Sequence, residues 1–390
     1  MKAFVFTDKA LERQAGRFVW LDIDTEKSKN AGVRKRLQIQ ALPTFFIVNP
    51  VDEKVVLRWV GGASRPQLER ILEDGRLAVV GGARAGAPMA GGGAASAAAD
   101  RALAQADRLY GEGDNVEAAK AYQEALRLAP EDWSRYGRTV ESLLFALSQT
   151  EDYEVAAKLA RDSYPRLKRT SSSANVAATG LDCALSLPSE NPLRKELVET
   201  LEGAAREVLA DSTIPLAADD RSGIYGTLVS AREDAKDDSG AKRTASDWGS
   251  YLEGEASRAR TPEERTVFDS HRLAAYIEIG EAERAIRMLE ASERDFPNDY
   301  NPPARLAAAY KAMKRWDEAL AASDRALAKV YGPRKLRVLQ DRADIYVGRG
   351  ETTSARRTLE EAVATAESLP LGQRSEGAIA ALRKKLEALP

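Results

Sequence analysis

One cysteine and one histidine in 390 residues remove most catalytic chemistry at the outset. A single thiol, Cys183, cannot close an intramolecular disulfide or supply a Cys-x-x-Cys pair. With only His271 beside it, no Cys/His zinc site and no two-histidine metal site can be built within one chain. His271 stands in "FDSHRLAAYIEIG", a helical pattern, and reads as a surface or packed side chain rather than the base of a Ser-His-Asp arrangement. Neither sign of charge is in excess. Lys and Arg number 58 against 60 Asp and Glu, a net −2 that argues against nucleic acid or an anionic membrane surface as partner. No apolar run is long enough to span a bilayer. The opening "MKAFVFTDKALERQ" lacks the apolar centre of a signal peptide, so the location expected from the sequence as written is cytoplasmic. No cofactor is implied.

What is present is a chain of 44% hydrophobic and 30% charged residues, a balance suited to a folded, helix-rich protein of two or three domains. Strand-forming runs occur only near the start: "FVWLDID" (18–24), "PTFFIVN" (43–49) and "KVVLRWV" (54–60). The polar "NPVDE" between the last two predicts an antiparallel hairpin. "SRPQLERILEDG" (64–75) predicts a helix that Ser64 caps and Gly75 ends. Together with helical readings of "KAFVF" and "DKALERQAG", this makes residues 1–80 a small α/β domain. Residues 81–99, "GGARAGAPMAGGGAASAAA", are almost entirely Gly and Ala and predict a flexible linker. The glycines carry no phosphate-loop lysine.

From Asp100 to the end, helical periodicity takes over and a repeat emerges. "GDNVEAAKAYQEALRLAP" (113–130) places small or aromatic residues at Ala118, Tyr122 and Ala125. The same skeleton returns at Ala285, Ala319 and Ala355, with steps of 34 and 36 residues, and a weaker copy sits on Ala156. Tyr276, Tyr310 and Tyr346 each stand nine residues before a repeat alanine. A period near 34 with this pattern resembles the tetratricopeptide repeat, in which small residues let paired helices approach and large ones fill the gap to the next pair. The expectation for residues 100–390 is an α-solenoid of six or seven helix pairs, irregular between 174 and 257. Such arrays bind peptides in a concave groove. Two repeats are expected to present Ala304, Ala308 and Lys311, and Gln340, Asp344 and Val347, toward it. The lysines and asparagines with which some members clamp a terminal carboxylate are not matched at these positions.

The N-terminal region resembles the thioredoxin family. "FVWLDIDTEKSKNAGVRKRLQIQALPTFFIVNPVDEKVVLRWVGG" follows that family's order of strand, acidic turn, helix, proline loop, strand, turn, strand and glycine pair. The resemblance implies a cis peptide bond at Pro43 and a substrate-facing loop of Leu42, Pro43 and Thr44. It also implies that the first strand and the cysteine motif are missing, because "MKAFVFTDKAL" is similar to the segment that follows that motif. The strand at 18–24 and the strand at 43–49 would then lack a neighbour between them. The fold class expected is α/β plus all-α: an incomplete thioredoxin-like domain followed by a tetratricopeptide solenoid. The function expected is recognition of protein or peptide clients without redox catalysis by this chain, with Cys183 a packed residue. The alternative is a thiol–disulfide oxidoreductase whose cysteine motif lies upstream of Met1 and whose repeats recruit clients, with an extracytoplasmic location then open. Client identity and oligomeric state have no signature in the sequence.

Overall fold

The computed structural model describes residues 5–39, 41–82 and 94–389. In chain order the regular elements begin with a short helix α1 (Ala31–Arg36), strands β1 (Thr44–Val48) and β2 (Val55–Val60), and helix α2 (Arg65–Gly82). Helices α3 (Ala94–Glu112), α4 (Asn115–Leu128), α5 (Tyr136–Gln149), α6 (Tyr153–Leu167), α7 (Ser172–Leu185), α8 (Arg194–Ala210), α9 (Ala218–Asp234) and α10 (Asp238–Arg258) follow. The chain continues through α11 (Pro262–Thr266), α12 (Asp269–Glu278), α13 (Ile286–Asp295), α14 (Asn301–Ala312), α15 (Trp316–Leu327), α16 (Arg334–Arg349), α17 (Thr352–Ser368) and α18 (Glu376–Glu387). Two compact units result, one of Met1–Ala15 with Ile39–Ala241, the other of Gly16–Gln38 with Lys242–Pro390.

In the first unit the expected hairpin forms. β1 and β2 pair antiparallel, from Thr44 opposite Val60 to Ile47 opposite Leu57, with an irregularity at Val48. Asn49 and Asp52 accept backbone N–H groups inside the turn, the role their short polar side chains suit. The Leu42–Pro43 peptide bond is cis. Leu57, Trp59, Leu68, Ile71 and Leu72 are buried where β2 and α2 pack together.

Four expectations need correction. "FVWLDID" is no strand: residues 18–24 have no regular structure, and the described sheet holds β1 and β2 alone. A strand is stabilised by its neighbours, and no described residue pairs with this one in a sheet. Gly75 does not end the helix, which runs on to Gly82. Gly75 instead lets the helix lie against Ile47, whose side chain a methyl at position 75 would strike. The linker is shorter than 81–99, since α3 already begins at Ala94, where an alanine run favours helix; residues 83–93 lie outside the described residues. Finally, residues 1–80 do not stand apart as a domain. The hairpin and α2 share one compact unit with α3–α9, while Gly16–Gln38 belongs to the other.

The hairpin and α2 are fixed to the helices by packing and charge. Arg58, 2% exposed, lies over the Tyr110 ring and donates to the Tyr110 carbonyl. Gly61 and Gly62 bring the end of β2 against Phe145 and Asp220, and Gly111 admits Val55. Asp74 on α2 pairs with Arg135, the residue before α5, and with Arg138 of α5, and Arg138 also pairs with the buried Asp107. Within α3–α9 the repeat positions Ala118, Tyr122, Ala125 and Ala156 are fully buried in one core. Tyr122 donates its hydroxyl to Asp107 at 2.9 Å, which satisfies a polar atom that burial would otherwise penalise. Gly180 of α7 makes room for Ala160 of α6.

The second unit alternates α12, α14, α16 and α18 with α13, α15 and α17. Ala285, Ala319 and Ala355 are fully buried, as are Leu289 and Leu359, so the periodic small and large positions do form the contacts between helices. The segment 16–38 is bound to this unit through its acidic turn. Tyr331 donates to Asp24, Gln373 donates to the Thr25 carbonyl, and the Arg334 backbone N–H donates to Glu26.

Candidate partner-binding groove

The tyrosines that recur in α12, α14 and α16 align these three helices residue by residue. Each ring carries an arginine: Arg284 lies 4.7 Å over Tyr276, Arg315 4.8 Å over Tyr310 and Arg342 5.3 Å over Tyr346. These cation–π contacts hold the tyrosines in place; the residue before each, Ala275, Ala309 or Ile345, is fully buried. Tyr276 also donates to Glu253 at 2.6 Å. Burial and that carboxylate hold its hydroxyl above the ordinary tyrosine range, so it remains a donor.

The positions six and two residues before the tyrosine, and one after, hold the candidate groove residues. Ala304 is half-buried against Ala326, Val330 and Val338, and Ala308 packs partly on the core beneath α14. Lys311 reaches Asp341 of α16 at 3.5 Å. Asp344 pairs with Lys385 of α18 at 2.7 Å. These two charges therefore join neighbouring helices of the row. Gln340 is half-buried, and Val347 is 45% exposed.

Applying the same alignment to α12 adds Ile277, which sequence comparison of two repeats alone passed over. Ile277 is 39% exposed and occupies the position of Lys311 and Val347. The three aligned helices thus present isoleucine, lysine and valine in one column, an apolar, cationic, apolar sequence.

The proline-loop residues belong to the first unit. Leu42 is 54% exposed, the Pro43 carbonyl accepts from Gly61 at 2.9 Å, and Thr44 donates its hydroxyl to the Ala41 carbonyl. The single histidine is packed 5.7 Å from the Trp248 ring. Cys183 is 2% exposed in α7, and burial together with the nearby Asp182 pushes its thiol up to about 12. No group of three metal-ligating side chains converges among the described residues. A cleft of about 450 Å³ is lined by Glu26, Ser28, Tyr331, Leu369 and Gln373 among others, and its Glu26 carboxylate is paired with Arg34 and Arg334. None of the described helices is long and apolar enough to cross a membrane.

A tetratricopeptide repeat family model matches residues 300–368, the span of α14 to α17 that carries two of the three aligned tyrosines. No curated protein matches the chain. Among solved structures, a tetratricopeptide repeat protein from Parabacteroides merdae is 10% identical, covering 74% of this chain and 99% of its own at a TM-score of 0.49. The TPR2AB domain of yeast Sti1, determined in a complex with pHSP90, is 17% identical over 74% of this chain and 98% of its own, with a TM-score of 0.28. Acl4, an assembly chaperone of RpL4, is 13% identical over 74% and 96%, with a TM-score of 0.33.

Proposed function

We propose that this chain is a protein-interaction module that receives a peptide segment of a client protein across α12, α14 and α16. The observation that carries this reading is the column of Ile277, Lys311 and Val347 on three aligned helices, its two apolar members exposed and its lysine half-buried, inside a region that partly matches a tetratricopeptide model. Exposed apolar side chains flanking a cation suit a client segment with apolar residues around a carboxylate. Ala304, Ala308 and Gln340 floor the groove; Lys311 and Asp344 hold its walls together and supply its polar contacts.

Residues 43–82 are read as the hairpin-and-helix portion of a thioredoxin-like fold, supported by the order β1, β2, α2 and the antiparallel pairing. Leu42, Pro43 and Thr44 then form a second contact surface, with the exposed Leu42 its apolar element. This chain carries out no thiol chemistry in this reading, because exchange needs an accessible thiolate and Cys183 is neither accessible nor acidic.

The test is selection of a displayed peptide library on the immobilised full chain, then calorimetry with the enriched peptides. Ile277→Asp and Val347→Asp should each weaken binding while leaving thermal stability unchanged, since both side chains are exposed. Peptides whose affinity survives both substitutions would place the groove elsewhere.

A further inference from the structure

Residues 19–23 form an exposed apolar run that the groove does not use. Val19 is 88% exposed, Leu21 78%, Trp20 49% and Ile23 38%. These are strand-forming side chains, yet none of Val19, Leu21 and Ile23 exchanges a backbone hydrogen bond with another described residue. Immediately after them Asp24, Thr25 and Glu26 are tied to Tyr331, Gln373 and Arg334. The run is therefore anchored at one end on its own unit.

We propose that Phe18–Asp24 is a docking strand that pairs antiparallel with the same segment of a second copy of this chain. Across a two-fold axis, facing residues must turn their backbone groups toward the same edge, so the axis passes through a residue and not between two. With Leu21 on the axis it faces Leu21 of the second copy, and Val19 faces Ile23 in both directions. The three residues without backbone partners then exchange hydrogen bonds, and their side chains form apolar cross-strand pairs on one face. On the other face Trp20 meets Asp22 and Phe18 meets Asp24, so no carboxylate opposes another. Moving the axis to Asp22 would set two carboxylates against each other, and moving it to Trp20 would set Arg17 against Ile23. Charge and pattern together select the register. A pair this short buries less than the roughly 1,200–2,000 Å² of a standard stable interface, so the dimer is weak and concentration-dependent.

Sedimentation of the full chain over a wide concentration range, with three variants, tests this. Wild type should show a monomer–dimer equilibrium, and Leu21→Lys, which sets two cations on the axis, should raise the dimer dissociation constant about tenfold or more. Leu21→Cys should cross-link copies under mild oxidation, because facing hydrogen-bonded residues lie about 5.5 Å apart, within disulfide reach. Val51→Cys, at a position 90% exposed but outside the run, should not, and the native Cys183 is buried. A monomer at every concentration, a dimer indifferent to Leu21→Lys, or equal cross-linking at 21 and 51 would each overturn the assignment. So would capture of a different protein at Leu21 by a chain that stays monomeric.

Discussion

The hydroxyl of Tyr331 donates to the carboxylate of Asp24 at 2.5 Å, joining residues 307 positions apart in the sequence. The Tyr331 proton, the Glu26 backbone N–H and the cations Lys27 and Arg334 outweigh burial, which acts the other way and is the largest single influence. Together they hold the Asp24 carboxyl below its ordinary range. Two glycines permit this approach. Gly332 and Gly372 both have left-handed backbones, and a methyl on either would strike a carbonyl oxygen of the segment, that of Glu26 or of Ala31.

Gly332→Ala and Gly372→Ala should therefore each detach residues 24–36 at a cost of about 1–3 kcal/mol. Hydrogen exchange would report this as faster exchange in α1 and the residues before it, with α3–α9 unchanged. Unaltered protection of 24–36 in both variants would remove the glycines from this role.

Arg138→Leu should destabilise the first unit by about 3–5 kcal/mol, since it strands Asp107, 4% exposed, with only the Tyr122 hydroxyl to answer its charge. The exposed pair of Arg108 with Glu112 gives the contrast: Arg108→Ala should change stability by less than about 1 kcal/mol. Thermal melts of the two variants measure both.

Stability of the first unit should fall as pH rises from the ordinary aspartate range toward neutrality. Burial, with the charge of Asp219, raises the Asp220 carboxyl to about 7, so the folded state holds a proton there that the unfolded state has already released. The loss accumulates between the two pKa values and is complete above the higher one. Asp220→Asn should flatten that part of the pH–stability curve. A variant as pH-dependent as wild type would show that another group titrates.

Cys183 should react with a thiol reagent only as the first unit opens. Its labelling rate should rise with denaturant in step with the loss of helical signal, and an insulin-reduction assay on this chain should stay at background. Turnover abolished by Cys183→Ala would contradict the packed role.

The repeats were legible because helix packing is local and periodic. Ala118, Ala285, Ala319 and Ala355 recur at the spacing that buries them, and the structure buries all four completely. The hairpin was legible for a similar reason, its turn lying between its strands. "FVWLDID" misled because strand-forming side chains describe a capacity to pair, and the partner is not encoded in the strand itself. Ala94 begins a helix inside a Gly/Ala run because alanine alone, without glycine, lacks the freedom that makes such a run a linker. Ile277 was legible too: it follows Tyr276 as Lys311 follows Tyr310 and Val347 follows Tyr346, although the expected groove drew on two repeats alone.

Arg58 is buried against Tyr110, whose carbonyl accepts from it across 52 positions of sequence. During synthesis β1 and β2 emerge well before α3 and α5, the helices whose side chains cover them. Until then Arg58 has no interior to enter, and a two-stranded hairpin alone is marginal in water. The element with the simplest local turn is thus a late arrival in the folding order, waiting on closure of a loop of about fifty residues.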